Sequence, residues 1–279
     1  MSSAYEAWIG REEAHTERVL ASVVAAMAAT LDYESAPQPG DPLPPGWHWL
    51  FFNSIVRRSA LGVDGHPRRG GFLPPIELPR RLWAGSRIRY LNDLPVEAQA
   101  TRRSRIQKVE NKLGKSGSLW FITVEHAISR DGIPCICEEQ DIVYRELTRS
   151  PKAPSKQEPY DVQPQWSRGF EPDTMLLFRY SALTFNGHRI HYDQVYAREQ
   201  EGYPGLVVHG PLTATLLQQF ALAHGEGRPL ARFDFRGVTP LYVDRPFRLE
   251  GRQAEDGTLA LWARAPEGEL AMSATAAFR

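Results

Sequence analysis

The sequence predicts an α+β fold made of the same unit twice, a helix followed by an antiparallel strand meander. Apolar residues recur at three- and four-residue steps in two separate places, alternating strand-length segments follow each, and a faint internal match relates the two meanders. A chain of 279 residues has room for one large domain or for two of roughly 130 to 150 residues.

Taken in order, residues 12–31 are expected to be helical, because Val19, Leu20, Val23, Val24, Met27 and Leu31 share one face. Residues 40–81 are rich in Pro, Gly, Trp and Arg, contain HPRRGGFLPP, and read as a long ordered loop or lid. Four strands are then expected, SRIRYL, ATRRSRIQKVE, LWFITVEHAIS and IPCICEEQDIVYRE, with turns at KLGKSGS and RDGI. The proline- and lysine-rich TRSPKAPSKQEPYDVQPQ marks the domain boundary, which divides the chain into an N-terminal domain (1–150), a linker (151–172) and a C-terminal domain (173–279).

In the C-terminal domain FRYSALTF reads as a strand, YDQVYAREQ as a short helix and PLTATLLQQFALAHG as a helix with an apolar stripe of Leu212, Leu216, Leu217, Phe220 and Ala221. The strands ARFDFRGV, FRLEGRQ, LALWARA and LAMSATAAF close the chain. Sliding the sequence by 145 residues superposes Arg87 on Arg232, Tyr90 on Phe235, Pro95 on Pro240 and Val96 on Leu241, at the start of each meander. Each meander can curl around its helix, so the duplication implies a fused pair.

Composition excludes several classes. Thirty-three basic and thirty-three acidic residues cancel, so no global field favours nucleic acid or an anionic membrane, and an anion site has to be a local patch. The longest apolar run, VLASVVAAMAATL, is too short to span a bilayer and has no basic leader, which points to a cytoplasmic protein without a membrane partner. Cys135 and Cys137 are one residue apart with no second ligand pair, so they are expected as buried thiols and not as a metal site.

Two stretches carry chemistry. In FNGHRIHYD, His188 and His191 flank Arg189; histidine exchanges protons near neutral pH, although packing histidines show the same spacing. Metal ligation through His188, His191 and Asp193 is a weak signal, since no further ligand is anchored nearby. In GYPGLVVHGPLTATLL, Gly210 and Pro211 open a helix whose first N–H groups favour negative charge, although HGP also suits a simple capping turn. Together, a proton-transfer histidine and a donor-bearing helix start are what an enzyme needs to add water across an activated double bond.

FNGHRIHYDQVYA followed by YPGLVVHGPLTATLL resembles the MaoC-like hydratase and dehydratase family, hotdog-fold proteins acting on acyl thioesters. The resemblance is strongest to the double-hotdog branch of itaconyl-CoA and mesaconyl-C4-CoA hydratases and mitochondrial-type 3-hydroxyacyl-thioester dehydratases. PPGWHWLFF, GHPRRGGFLPP, RRLWAG and EEQDIVYRE resemble the companion N-terminal domain of that branch. The resemblance implies a double hotdog with a degenerate N-terminal and a catalytic C-terminal unit, an acyl-CoA substrate, no cofactor and, by analogy of fold, a homodimer. The family motif D-x-N-P-x-H places an aspartate five residues before the histidine; here that position is Asn186, and an amide cannot act as a base. The resemblance therefore implies that His191 moves the proton, Asn186 positions water or substrate, and the Gly210 N–H holds the oxyanion.

Around these three, His188, Tyr192 and His209 are expected to contact substrate. Arg189 is expected either to bind an acyl carboxylate bidentately or to pair internally with Asp193. Arg68 and Arg69, followed by two glycines, are the first choice for a basic ligand-facing loop; Arg80, Arg81, Arg102, Arg103 and Arg105 are further candidates. The expected activity is reversible hydration of an enoyl-CoA, with a five-carbon branched dicarboxylic acyl group as the leading substrate. The alternatives are a 3-hydroxyacyl-carrier-protein or -CoA dehydratase, a thioesterase and a non-catalytic acyl-thioester-binding subunit.

Overall fold

A computed structural model describes residues 5–114, 117–146 and 160–279. The N-terminal half supplies strands β1 (Glu12–Arg18), β2 (Arg80–Tyr90), β3 (Gln99–Gly114), β4 (Gly117–Arg130) and β5 (Ile133–Arg145). The C-terminal half supplies β6 (Trp166–Phe170), β7 (Leu230–Gly237), β8 (Phe247–Gln253), β9 (Leu259–Arg264) and β10 (Leu270–Phe278). All ten form one antiparallel sheet in the order β1-β3-β4-β5-β2-β7-β10-β9-β8-β6. Outward from the centre, β2-β5-β4-β3-β1 and β7-β10-β9-β8-β6 repeat the same chain order. The duplicated strands that open the two meanders meet there, from Gly85 opposite Arg236 to Arg89 opposite Arg232.

The expected RDGI turn is a tight hairpin with Asp131 and Gly132 both at positive φ, 47° and 76°, a backbone twist that matches the strands it joins. Of the KLGKSGS turn, residues 115 and 116 lie outside the described residues.

Four helices line the inner face: α1 (Ala21–Thr30), α2 (Thr174–Leu183), α3 (Gln194–Glu199) and α4 (Gly210–Ala223). The central one is α4, packed on β7, β8, β9 and β10. Its start is set by Pro211, which has no N–H to leave unpaired, and Leu212, Leu216, Leu217 and Phe220 are buried along its face. Each such side chain contributes about 1.5–3 kcal/mol of hydrophobic stabilisation. Tyr90 of β2 reaches across from the N-terminal half and donates its hydroxyl to Gln218 of α4, so both halves hold this helix.

Several expectations are corrected. Residues 12–18 form β1 and not the first turns of a helix, because their alternating polar side chains pair with β3 and Thr16 meets Thr101 at 2.8 Å. All but the last two residues of FRYSALTF lie in α2, whose start is fixed by the Asp173 carboxylate accepting from Leu176 N at 2.7 Å; buried Leu177 and Tyr180, three apart, face the core. The linker assigned to 151–172 includes β6, an edge strand paired with β8; its residues 151–159 lie outside the described residues. Cys135 is buried as expected, whereas Cys137 is half-buried and accepts from Arg89 Nη2 at 3.2 Å.

Candidate active site

His191 sits at the end of a 3-10 turn, Arg189–His191, at the exit of α2. It is only 7% exposed. Its Nδ1 lies 2.7 Å from the carbonyl of Val207, so Nδ1 carries the proton and donates it there. Nε2 is left as the basic atom and has no hydrogen-bond partner among the described residues. Burial pushes the imidazole down to about 4, against the Val207 hydrogen bond and with the charge of His66 adding to the effect. At neutral pH the ring is therefore uncharged and able to accept a proton.

Asn186 ends the tight turn that follows α2. Its N–H donates to Ser181 O at 2.8 Å, and its Oδ1 accepts from His188 N at 3.0 Å. Both groups are used to shape the turn, which leaves the Nδ2 donor for a ligand. Asn186, Gly187 and Tyr192 line a cavity of about 670 Å³ together with His66 and Pro211. Tyr192 donates its hydroxyl to Gly187 O at 3.1 Å.

His209 caps α4 and stacks on His191, with ring centroids 3.7 Å apart and planes 19° apart. Its Nε2 meets Ser181 Oγ at 2.8 Å, and burial, reinforced by the charges of His191 and His188, keeps it neutral, well below the usual histidine range. The adjoining Gly210 is exposed, and its N–H has no acceptor among the described residues. A Cβ there would meet nothing within 4 Å, and its N–H heads a 14-residue helix whose dipole favours negative charge. The stack on His209 places His191 beside the start of α4, and Asn186 lines the first cavity together with Pro211 of that helix.

The loop read from sequence as ligand-facing brings Asp64 and His66, which the sequence reading did not single out, against the turn that carries Asn186. Gly65 packs so closely on the Asn186–Gly187 turn that a Cβ on it would lie 1.8 Å from Gly187 O, and its φ of +88° is one that only glycine adopts freely. Arg189 N donates to Asp64 O at 2.9 Å, which stitches the two halves together. His66 Nδ1 faces Asp64 Oδ2 at 3.2 Å, and the His66 ring lies 4.2 Å from His188, which in turn stands perpendicular to His191 at 5.5 Å. Burial lowers His66, and it pushes His188 down to about 2 with help from the neighbouring His66 and His191. Burial alone would raise the Asp64 carboxyl, but the hydrogen bond and charge of His66 hold it below its usual range. The His66 signal was present in GHPRRGG, but the adjacent arginines drew the reading. Asp64, His66 and His188 each offer a ligand atom within 4.8 Å of the others, a different set from the His188, His191 and Asp193 considered from sequence.

Arg189 takes the internal alternative. Its Nε and Nη2 bond Asp193 Oδ2 at 3.0 and 2.7 Å, Nη1 donates to Val63 O at 3.1 Å, and the guanidinium lies 4.2 Å over Tyr196. Asp193 also caps α3, so this pair is structural and Arg189 lines neither cavity described in this section. Arg68 and Arg69 border a second cavity of about 570 Å³, which shares Trp49, Asn53, His66 and Trp83 with the first. Arg69 is bonded to Ile76 O and Pro79 O, and Arg68 to Leu61 O.

This paired sheet with a neutral histidine and an open helix start on one half defines a double-hotdog hydratase or dehydratase. The fold is shared with a MaoC-like dehydratase (TM-score 0.71, 15% identity, 99% of each chain covered) and with HtdX of Mycobacterium tuberculosis (TM-score 0.68, 18% identity, 95% of this chain and 99% of that one). A further M. tuberculosis protein with a double hotdog fold superposes at a TM-score of 0.57, with 11% identity over 96% of this chain and 95% of that one. The family model for hydroxyacyl-thioester dehydratase type 2 matches residues 46–243, and the chain belongs to that family of enzymes. It is 48% identical over 277 residues to mesaconyl-C(4)-CoA hydratase of Chloroflexus aurantiacus, covering 99% of this chain and 98% of the relative. It is also 33% identical to the mitochondrial hydroxyacyl-thioester dehydratase type 2 of Schizosaccharomyces pombe, over 74% of this chain and 77% of the relative.

Proposed function

We propose that this enzyme adds water reversibly to a five-carbon branched dicarboxylic enoyl-CoA, with mesaconyl-C4-CoA giving citramalyl-CoA as the leading case. The near full-length identity to a mesaconyl-C(4)-CoA hydratase carries the substrate class. The neutral His191, with its proton fixed on Nδ1, carries the chemistry. The thioester carbonyl withdraws electrons from the β-carbon, so water attacks there while charge gathers on the carbonyl oxygen. His191 Nε2 takes a proton from a water held by Asn186 Nδ2, hydroxide oxygen bonds to the β-carbon, and the Gly210 N–H holds the enolate oxygen. Returning a proton to the α-carbon completes the addition.

A family aspartate would supply a second proton-exchanging group at position 186, and an amide cannot. In this scheme His191 serves both steps: the imidazolium formed when Nε2 takes the water proton gives that proton to the α-carbon and returns to its neutral form. The scheme calls on no redox group or metal. The acyl-CoA is the small-molecule partner, and a homodimer is the expected assembly by analogy of fold.

The deciding assay incubates the purified protein with mesaconyl-C4-CoA, itaconyl-CoA and crotonyl-CoA, following loss of enoyl absorbance and product mass. Gain of one water, fastest with a dicarboxylic substrate, is expected. Free thiol release with the enoyl absorbance retained would indicate a thioesterase, and tight binding without turnover a binding subunit; either refutes the proposal.

A further inference from the structure

On β2, Arg80 and Arg87 are matched to carboxylates and, among the described residues, Arg81 between them is not. On β2, Arg80 pairs with Glu201 at 3.0 Å and also donates to the Glu201 carbonyl. Farther along the same strand, Arg87 holds Glu139 and Asp141 at 2.7 and 2.6 Å. Arg81 lies between them in sequence and projects to the other side from Arg80, onto the wall of the second cavity beside Trp83. Among the described residues no carboxylate lies within ion-pair distance of Arg81.

The charges around it do not compensate. Four guanidiniums, Arg68, Arg69, Arg81 and Arg102, and two carboxylates, Glu13 and Glu138, line this cavity. Glu138 is already committed, accepting from His48 and Trp49 at 3.0 Å and from Ser86 at 2.6 Å. Glu13 lies 4.0 Å from Arg102 and 3.7 Å from His15. Arg69 spends its guanidinium on backbone carbonyls. A chain with no net charge therefore keeps a local excess of positive charge in one cleft; Arg68 and Arg69 there bond backbone carbonyls, and no ion pair holds Arg81 among the described residues.

We infer that Arg81 is the subsite for a carboxylate carried by the acyl group of the substrate, the role for which Arg189 is unavailable. The inference rests on the hydratase reading above and specifies its substrate class. In a mesaconyl-type acyl group the free carboxylate is bonded to the carbon that water attacks, so its receptor has to adjoin the proton-transfer site. Arg81 shares the wall of the second cavity with His66, and His66 also lines the first cavity with Asn186 and Pro211. Trp49 and Trp83, edge to face at 5.1 Å on the shared wall, offer apolar surface for the methyl branch. A planar guanidinium at the end of such a wall binds a carboxylate with two parallel N–H···O bonds.

The test uses saturated acyl thioesters that cannot be hydrated, so it does not depend on turnover. Succinyl-CoA, butyryl-CoA and CoA alone are titrated calorimetrically into the full-length wild type, Arg81→Met and Arg81→Lys, with melting temperatures as the check on folding. Wild type is expected to bind succinyl-CoA at least tenfold more tightly than butyryl-CoA. Arg81→Met is expected to lose that tenfold for succinyl-CoA while staying within twofold on the other two ligands, and Arg81→Lys to fall between. An equal loss on all three ligands would place the guanidinium against the CoA phosphates and overturn the inference, as would no loss on any. Selective binding of succinyl-CoA without hydration of mesaconyl-C4-CoA would support the subsite while refuting the hydratase reading.

Discussion

Replacing His191 with Ala separates its chemical role from its structural one. Beside the α4 start the ring presents an Nε2 with no hydrogen-bond partner among the described residues, and general-base catalysis of this kind contributes about 10²–10⁴-fold. Its removal also deletes the 2.7 Å bond to Val207 O and the stack on His209. A buried carbonyl deprived of its donor costs about 1–3 kcal/mol, which in a protein of this size lowers the melting temperature by roughly 2–12 °C. Hydration of mesaconyl-C4-CoA by absorbance is therefore expected to lose at least 100-fold in kcat in a variant that remains folded, with partial recovery on adding imidazole. The wild-type pH profile gives a second readout. A histidine of ordinary pKa is half protonated at pH 6.5, whereas one at about 4 is roughly 0.3% protonated there, so kcat/KM should stay flat from pH 8 down to about 5.5. A folded variant that keeps more than a tenth of wild-type kcat, or a wild-type rate that halves near pH 6.5, would refute the assignment of His191 as the base.

Three further outcomes follow from the geometry. Gly65→Ala should lower kcat more than tenfold without altering any group that contacts substrate, because a Cβ there collides with Gly187 O and lifts the Asp64–His66 loop off the Asn186–Gly187 turn; an unchanged rate would show that the loop is dispensable. Gly210→Ala should stay within threefold of wild type, since its Cβ has open space, whereas Gly210→Pro removes the N–H and should cost about 100-fold or more, corresponding to about 2.7–4 kcal/mol; equal effects of the two would remove the oxyanion role. Burial, which Glu138 only partly offsets, holds His126 at about 4, so on acidification the unfolded chain takes up this proton before the folded one. Its contribution to stability is full above pH 6.5 and is lost between there and about pH 4, about 3 kcal/mol in all. Urea titrations of His126→Gln should show a shallower decline of stability with falling pH than wild type, and parallel curves would contradict the buried neutral state.

Local periodicity determined much of this protein. The strands of both meanders, the buried stripe of α4 and its HGP start were legible because alternation and 3.6-residue repeats are properties of a short window, which the chain then obeys. That His191 lies near the start of α4 was legible too, since both lie in motifs close together along the chain. Tertiary structure decided the rest, wherever a segment's state depended on a distant partner. Residues 12–18 became β1 because β3 lies alongside them, and WSRGF became β6 because β8 does. FRYSALTF has the alternation of a strand, yet the Asp173 cap and the buried positions of Leu177 and Tyr180 made it a helix. In the site, Asp64 and His66 reach His188 across more than a hundred residues, a proximity that no spacing encodes. The two arginines show the same division: sequence offered Asp193 or a ligand carboxylate to Arg189, and the fold settled it on Asp193 while placing Arg81 on a cavity wall.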